Sequence, residues 1–80
     1  MQKLSACAQG DEVTIIRVGG EPPFRLRLME MGFSKGAHLK IIKYAPLKDP
    51  MEVEIRGYRL SLRVREADDV EVQIKNHQPR

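Results

Sequence analysis

The chain has 80 residues, of which 41% are hydrophobic, 31% charged and 5% aromatic, and its 14 basic and 11 acidic residues give a net charge of +3. This length predicts one small domain, and the composition favours a folded, soluble chain over a disordered one. The near balance of charges argues against a dedicated polyanion binder. We expect the domain to cover residues 1–75, with a disordered tail over residues 76–80.

The N-terminal segment carries no targeting signal that we can identify. It lacks the apolar run of a signal peptide, and no stretch of the sequence approaches the roughly 20 apolar residues of a membrane-spanning helix. The single cysteine, Cys7, cannot form an intramolecular disulfide, which favours a reducing compartment. We therefore expect a cytoplasmic protein that reaches a membrane only through a partner.

The first predicted element after a short lead-in is a strand. Within the lead-in, Leu4 is the best candidate for the core. Glu12–Val18 is rich in β-branched residues, as strands are. Its apolar residues fall on both faces, however, since Val13 and Ile15 share one face while Ile16 and Val18 share the other. A β-bulge or burial on both sides would explain this pattern.

A helix and a second strand come next. From Phe24 onward, large apolar residues recur at the three- and four-residue spacings of a helix, after two prolines that a first helical turn tolerates. Gly32 is placed to end this helix in the left-handed conformation, and Phe33 is expected to fold back onto the last turn. The second strand is Ala37–Tyr44, where Leu39 and Ile41 are expected to point inward.

The C-terminal half predicts three further strands, Met51–Ile55, Tyr58–Val64 and Val70–Ile74. If Arg56-Gly57 is a two-residue hairpin loop, apolar residues face apolar residues and opposite charges pair across the strands. The facing pairs are then Ile55 with Tyr58, Glu54 with Arg59, and Val53 with Leu60. Because arginine disfavours a positive φ, a three-residue loop with a bulge is an equal alternative. Arg65–Asp69 is long enough for one helical turn.

Five short strands with one small helix to cover them are best satisfied by a sheet that closes on itself. The sequence therefore predicts a mainly β fold. We expect a small, partly open SH3-like β-barrel of about five strands, with one short α-helix between strands 1 and 2.

The residues give no indication of catalysis, a cofactor or a metal site. No nucleotide-binding glycine pattern is present, and the serines stand in no informative relation to a histidine. His38 is expected to be a solvated surface side chain, and His77 lies in the predicted tail. The acidic residues Glu66, Asp68 and Asp69 are expected to face solvent, because a hard-cation site needs several oxygens in fixed geometry. We expect a protein that is not an enzyme.

The predicted helix carries more apolar side chains than one side of a small barrel needs. The four candidates for a partner-binding surface are Phe24, Leu26, Met29 and Phe33. The alternative is that all four belong to the core. Exposed methionine suits a partner surface because its side chain adapts to different shapes.

A cluster of arginines around the predicted hairpin supports a second hypothesis, a nucleic-acid-binding barrel. Arg56, Arg59 and Arg63 would make the contacts, with Arg59 and Arg63 on the polar face of one strand. Against this, Tyr58 points to the other face, and Glu52 and Glu54 lie on the neighbouring strand. A solvated, salt-bridged face is the simpler interpretation.

Several turn and core segments occur in an order that, over about residues 4–74, resembles the FeoA family of bacterial ferrous iron transport. The segments are Arg27-Leu28-Met29-Glu30-Met31-Gly32-Phe33 with Gly36, Asp49-Pro50, Ile55-Arg56-Gly57-Tyr58-Arg59-Leu60-Ser61-Leu62-Arg63, Glu66-Ala67 and Val70-Glu71-Val72. The resemblance implies a small cytosolic protein with an SH3-like barrel and no known enzymatic activity. It also implies a partner, the membrane ferrous iron permease with its cytosolic GTPase domain.

Three functions follow as hypotheses. The first is an accessory protein that docks on the cytosolic part of the permease and modulates iron transport, held at the inner membrane through that partner. The second is the nucleic-acid-binding barrel described above. The third and weakest is an iron-binding chaperone. The sequence leaves open which face docks, whether the protein activates or scaffolds the transporter, and its oligomeric state.

Overall fold

The computed structural model describes residues 1–75 of the chain. The predicted tail and His77 lie outside these described residues. None of the helices formed by residues 1–75 has the length and apolar character needed to cross a membrane.

The described part of the chain, residues 1–75, forms one antiparallel sheet with two short α-helices. Its elements are β1 (Gln2–Lys3), a 3-10 turn (Leu4–Ala6), β2 (Glu12–Val18), α1 (Pro22–Glu30), β3 (His38–Tyr44), β4 (Met51–Ile55), β5 (Tyr58–Leu62), α2 (Val64–Ala67) and β6 (Val70–Ile74). The strand order is β1-β6-β2-β3-β4-β5. This confirms the mainly β fold with a helix between the first two predicted strands. Residues 1–75 form six strands, one more than predicted, because Gln2 and Lys3 pair with Val72 and Glu71 of β6.

The irregular apolar patterns of the two long strands arise from breaks in register. In β2 the pairing with β6 shifts between Ile15 and Arg17, and in β3 the pairing with β4 shifts between Ile41 and Lys43. An extra residue in one strand changes which face the following side chains occupy. The predicted bulge in the first strand is thus confirmed, and the second strand contains another.

The hairpin between β4 and β5 has the predicted two-residue loop. Ile55 faces Tyr58, and the register continues along both strands as predicted. Arg56 has a φ of 53° and Gly57 a φ of 85°, as a type I′ turn requires. Arg56 therefore adopts a left-handed conformation that arginine disfavours. The alternative three-residue loop is wrong.

The core is built from aliphatic side chains with few aromatics, as the composition requires. Its fully or almost fully buried members are Leu4, Cys7, Val13, Ile15, Leu28, Phe33, Leu39, Ile41, Met51, Val53, Ile55, Leu62, Ala67, Val70 and Val72. The prediction that Leu4 enters the core is confirmed, with 0% of its surface exposed. The lead-in segment is therefore part of the folded domain.

The predicted fourth strand is two residues too long at its C-terminal end. β5 ends at Leu62, and Arg63 then precedes the single turn of α2. The Arg63 amide donates a hydrogen bond to Glu66 Oε1 over 2.9 Å, and its carbonyl accepts from the Ala67 amide over 3.0 Å. Because these bonds start a helix, Arg63 does not share a strand face with Arg59, and that prediction is wrong.

Candidate partner-binding surface

The helix α1 starts and stops where local chemistry requires. Pro22 and Pro23 occupy its first turn, where an amide donor is not needed. Gly32 follows its end with a φ of 98°, a conformation that favours glycine. The Phe33 amide then donates to the Leu28 carbonyl over 2.9 Å. The helix is thus fixed at both ends, and its rotation about its own axis decides which side chains face solvent.

That rotation leaves large apolar side chains in solvent. Leu28 is fully buried, whereas Leu26 is 60% exposed and Met29 is 53% exposed. Leu26 and Met29 are three positions apart and are therefore neighbours on the helix. Phe24 is half-buried and packs against the edge of the core. Phe24 lies on the other side of α1, close to the buried Leu28. We call Leu26 and Met29 the α1 surface.

Phe33, the fourth candidate for partner binding, is not part of the α1 surface. Its ring has 0% of its surface exposed and is the largest fully buried side chain of the core. The reason is the turn at Gly32, which sends the chain back under the helix so that Phe33 packs inside the barrel. The prediction of Phe33 as a partner contact is therefore corrected, although its expected fold-back onto the helix is confirmed.

Charged groups surround Phe24 at the N-terminal end of α1, on the side of the helix away from Leu26 and Met29. Phe24, Glu21, Arg65, Glu66 and Asp69 line a shallow cavity of about 380 Å³. Nearby, the Arg27 guanidinium lies 5.8 Å from the centre of the Phe24 ring and 3.1 Å from Glu66 Oε2.

The hairpin loop holds the C-terminal end of α1, a contact that the sequence pattern does not reveal. The Tyr58 hydroxyl donates a hydrogen bond to the Met31 carbonyl. The Arg56 side chain lies directly against Gly32, where an added Cβ would come within 2.6 Å of Arg56 Nε. Arginine near a helix C-terminus also interacts favourably with the helix dipole. The α1 surface is therefore presented on a helix braced by the sheet.

The three arginines of the nucleic-acid hypothesis are not brought together on one strand face. Arg56 lies against Gly32, Arg59 Nη1 lies 3.6 Å from Glu52 Oε2, and Arg63 lies beyond the end of β5. Arg59 shares its face with acidic residues of β4, as the sequence indicated. The nucleic-acid hypothesis stays a prediction.

The second feature with unusual chemistry is a cavity of about 650 Å³ that Cys7 and Tyr44 help to line. Cys7 is almost fully buried, and burial raises the pKa of its thiol. Burial also raises the pKa of the Tyr44 phenol, whose hydroxyl donates to the Cys7 carbonyl over 2.5 Å. A thiol with a raised pKa is a poor nucleophile and a poor metal ligand at neutral pH.

Metal-ligating side chains are scattered over the fold. Across residues 1–75, no three His, Cys, Asp or Glu side chains are grouped so as to hold a metal ion. His38 is exposed, as expected, and its Nδ1 lies 3.2 Å from Thr14 Oγ1.

Comparison with known proteins gives a consistent picture. The model of the FeoA domain family matches residues 2–74. A Fe(2+) transport protein A/Fe(2+) transporter FeoB fusion protein from Porphyromonas gingivalis is 40% identical over 72 residues, which are 90% of this chain and 8% of the fusion protein. The chain therefore spans about 8% of the length of this curated relative.

Two solved structures extend the comparison. The solution structure of a FeoA protein from Chlorobium tepidum has a TM-score of 0.87 and 42% identity, covering 91% of this chain and 70% of that one. FeoA from Stenotrophomonas maltophilia, a procaryotic SH3 domain protein solved in complex with zinc, has a TM-score of 0.79 and 26% identity, covering 91% of both chains. The SH3-like character of the predicted barrel is thereby confirmed.

Proposed function

The chain belongs to the FeoA family, and on that basis we propose that it is an accessory protein of ferrous iron uptake. It docks through the α1 surface on the cytosolic part of a membrane ferrous iron permease that carries a GTPase domain, and it modulates transport. In this role the protein binds and positions, and it catalyses no reaction of its own.

The partner is suggested by the relative in which a homologous segment is joined to a transporter. In the Porphyromonas gingivalis protein, Fe(2+) transport protein A and the Fe(2+) transporter FeoB are one chain. Fusion keeps two domains at a high effective concentration. A domain that works beside the transporter in one chain is a reasonable model for a separate chain that must find the transporter by binding.

The observation that carries the docking site is the exposure of Leu26 and Met29 on α1. Two adjacent large apolar side chains in solvent are of the kind that a partner covers on binding. Their helix is fixed by Leu28 in the core and by Tyr58 at its C-terminal end. The surface is thus preorganised, which lowers the entropy cost of association.

The test is binding to membranes that carry the permease, measured by crosslinking, together with GTP hydrolysis and iron uptake with and without the protein. We expect Met29→Asp and Leu26→Asp each to weaken binding about tenfold or more, the effect of removing a central apolar contact and inserting a charge. The matched control is Leu47→Asp, because Leu47 is 89% exposed on the loop between β3 and β4. It changes the same residue type to the same charge away from α1.

Because both helix variants replace exposed side chains, we expect both to fold. Circular dichroism checks this. If Met29→Asp and Leu26→Asp fold and bind as the control does, the α1 surface is not the docking site. If the unmodified protein neither crosslinks to the permease nor alters GTP hydrolysis or iron uptake, the accessory function itself is refuted.

A further inference from the structure

The strand β5 lies at the end of the sheet and has an open outer edge. β4 pairs with one side of β5 along its whole length. On the other side, no strand pairs with β5 among residues 1–75. Sheet edges of this kind expose unpaired amides and carbonyls, which another extended chain can use.

The hairpin loop fixes which backbone groups of β5 point outward. In a type I′ hairpin the two residues flanking the loop, here Ile55 and Tyr58, form a hydrogen-bonded pair, and bonded and non-bonded pairs then alternate. Leu60 and Leu62 therefore bond to β4. The amides and carbonyls of Arg59 and Ser61 point away from β4, and both residues are exposed. Within residues 1–75, no other hydrogen bond to these four groups is present.

The side chains around the open edge give it a chemical preference. Residues 56–65 contain four arginines and no acidic residue. Arg59 lies on β5 itself, where its Nη1 is 3.6 Å from Glu52 Oε2 of β4, and the other three arginines precede or follow the strand. Arg59 and Ser61 project on the polar face, and Leu60 is partly buried on the opposite, apolar face. A strand added here would pair its own alternate side chains with these two faces. An added strand with acidic residues on one face and aliphatic residues on the other would match both faces of β5.

We propose that the open edge of β5 binds an extended acidic segment of another protein by β-strand addition. Its hydrogen bonds come from the backbone of Arg59 and Ser61, and its charge preference comes from the arginines of residues 56–65. This edge is distinct from the α1 surface, and the inference does not depend on the proposed function.

A second copy of this chain is a poorer occupant. Two β5 edges pairing antiparallel would bring eight arginines of the two 56–65 segments together, while Glu52 and Glu54 of each copy lie one strand further from the new contact. Like charges in neighbouring strands are destabilising. Charge complementarity therefore favours a different, acidic chain.

The experiment follows amide hydrogen exchange by NMR in the whole protein, with and without a capped hexapeptide of alternating glutamate and valine. In the free protein, the amides of Arg59 and Ser61 should exchange rapidly, while that of Leu60 is protected by its bond to β4. With the peptide at saturation, we expect the exchange of the Arg59 and Ser61 amides to slow about tenfold or more. The hexapeptide with lysine in place of glutamate should produce no protection.

Two variants separate backbone pairing from charge. Ser61→Pro removes only the outward amide, so the fold is retained while peptide binding is lost. Arg59→Glu keeps the backbone and should weaken binding of the acidic peptide about fivefold or more. If Ser61→Pro does not fold, Arg59→Glu and the hydrogen-exchange data still test whether the peptide binds at the edge of β5.

Two results with added ligands, and one with the protein alone, would overturn the inference. One is unchanged exchange at Arg59 and Ser61 with millimolar acidic peptide. The other is tighter binding of a single-stranded DNA oligonucleotide than of the peptide, lost in Arg59→Glu, which would make the arginines a nucleic-acid site. Dimerisation through β5, detected by ultracentrifugation and abolished by Ser61→Pro, would also refute the choice of an acidic partner.

Discussion

Replacing Phe33 by alanine tests whether this residue supports the fold or a partner surface. Phe33 follows the α1 helix directly and lies among the residues that suggested an interface, yet its side chain is completely buried. The structure therefore predicts that Phe33→Ala acts on stability. Any loss of partner binding should follow only from the smaller population of folded protein.

The expected effect is large relative to the total stability. Truncating a buried phenylalanine to alanine costs about 3–5 kcal/mol, because apolar transfer energy is lost and a cavity remains. A domain of this size has a free energy of unfolding of only about 4–12 kcal/mol. With an m-value of about 1 kcal/mol per molar urea, the unfolding midpoint should fall by about 3 M or more. If the free energy of unfolding of the unmodified domain is at the low end of this range, Phe33→Ala would be largely unfolded even without urea.

The assay is urea unfolding followed by circular dichroism, with two matched variants. Phe33→Leu keeps most of the buried volume and should cost less than about 1.5 kcal/mol, if the core repacks. Phe24→Ala truncates the same residue type at a half-buried position and should cost at most about 2 kcal/mol. If Phe33→Ala costs no more than Phe24→Ala, the inference that Phe33 is a core anchor is refuted.

Three further predictions concern stability. Gly32→Ala should lower the free energy of unfolding by about 1–2 kcal/mol, because alanine disfavours the positive φ and its Cβ would displace the Arg56 side chain. Thermal unfolding measures this change, and an unchanged melting temperature would contradict it. Leu4→Ala should cost about 2–5 kcal/mol in urea unfolding, and a negligible cost would mean that the lead-in is not part of the core. Burial raises the pKa of both Cys7 and Tyr44, so the folded state holds these protons more tightly than the unfolded state. The stability they contribute is present below the unfolded pKa values and is lost as the pH rises above about 8.5 and then 10. Urea unfolding at pH 7, 9 and 10 checks this decrease, which should be shallower in Cys7→Ala.

Local patterns were sufficient wherever a structure depends on neighbouring residues. The hairpin register follows from the alternation of apolar and charged residues on both sides of Arg56-Gly57, and the structure has that register. The end of α1 follows from Gly32 in the same way. These features involve residues close in sequence, so the pattern contains the necessary information.

Features that depend on distant contacts could not be predicted from the same patterns. A two-residue strand such as Gln2–Lys3 has no periodicity, and it exists only because β6 offers a free edge. The contact of the Tyr58 hydroxyl with the Met31 carbonyl joins residues 27 positions apart. Tertiary pairing, which overrides local preference, determines each of these.

The candidate site shows the same limit most clearly. In the sequence, two alternative faces of the helix carry apolar residues at helical spacing, one that includes Leu28 and one that includes Leu26 and Met29. The structure places Leu28 inside and leaves Leu26 and Met29 outside. That choice depends on how the whole helix docks, which is fixed by Phe33 beneath it and by Tyr58 at its end.

The exposed pair has no evident role in folding. Leucine and methionine have helix propensities close to those of lysine and glutamate, so polar residues at positions 26 and 29 would form the same helix. More than half of the surface of each side chain stays in water in the folded chain, so that part contributes little to stability. Only a partner that covers Leu26 and Met29 would recover that hydrophobic energy. The composition of the α1 surface is therefore better explained by binding than by folding, which supports docking as the function to test first.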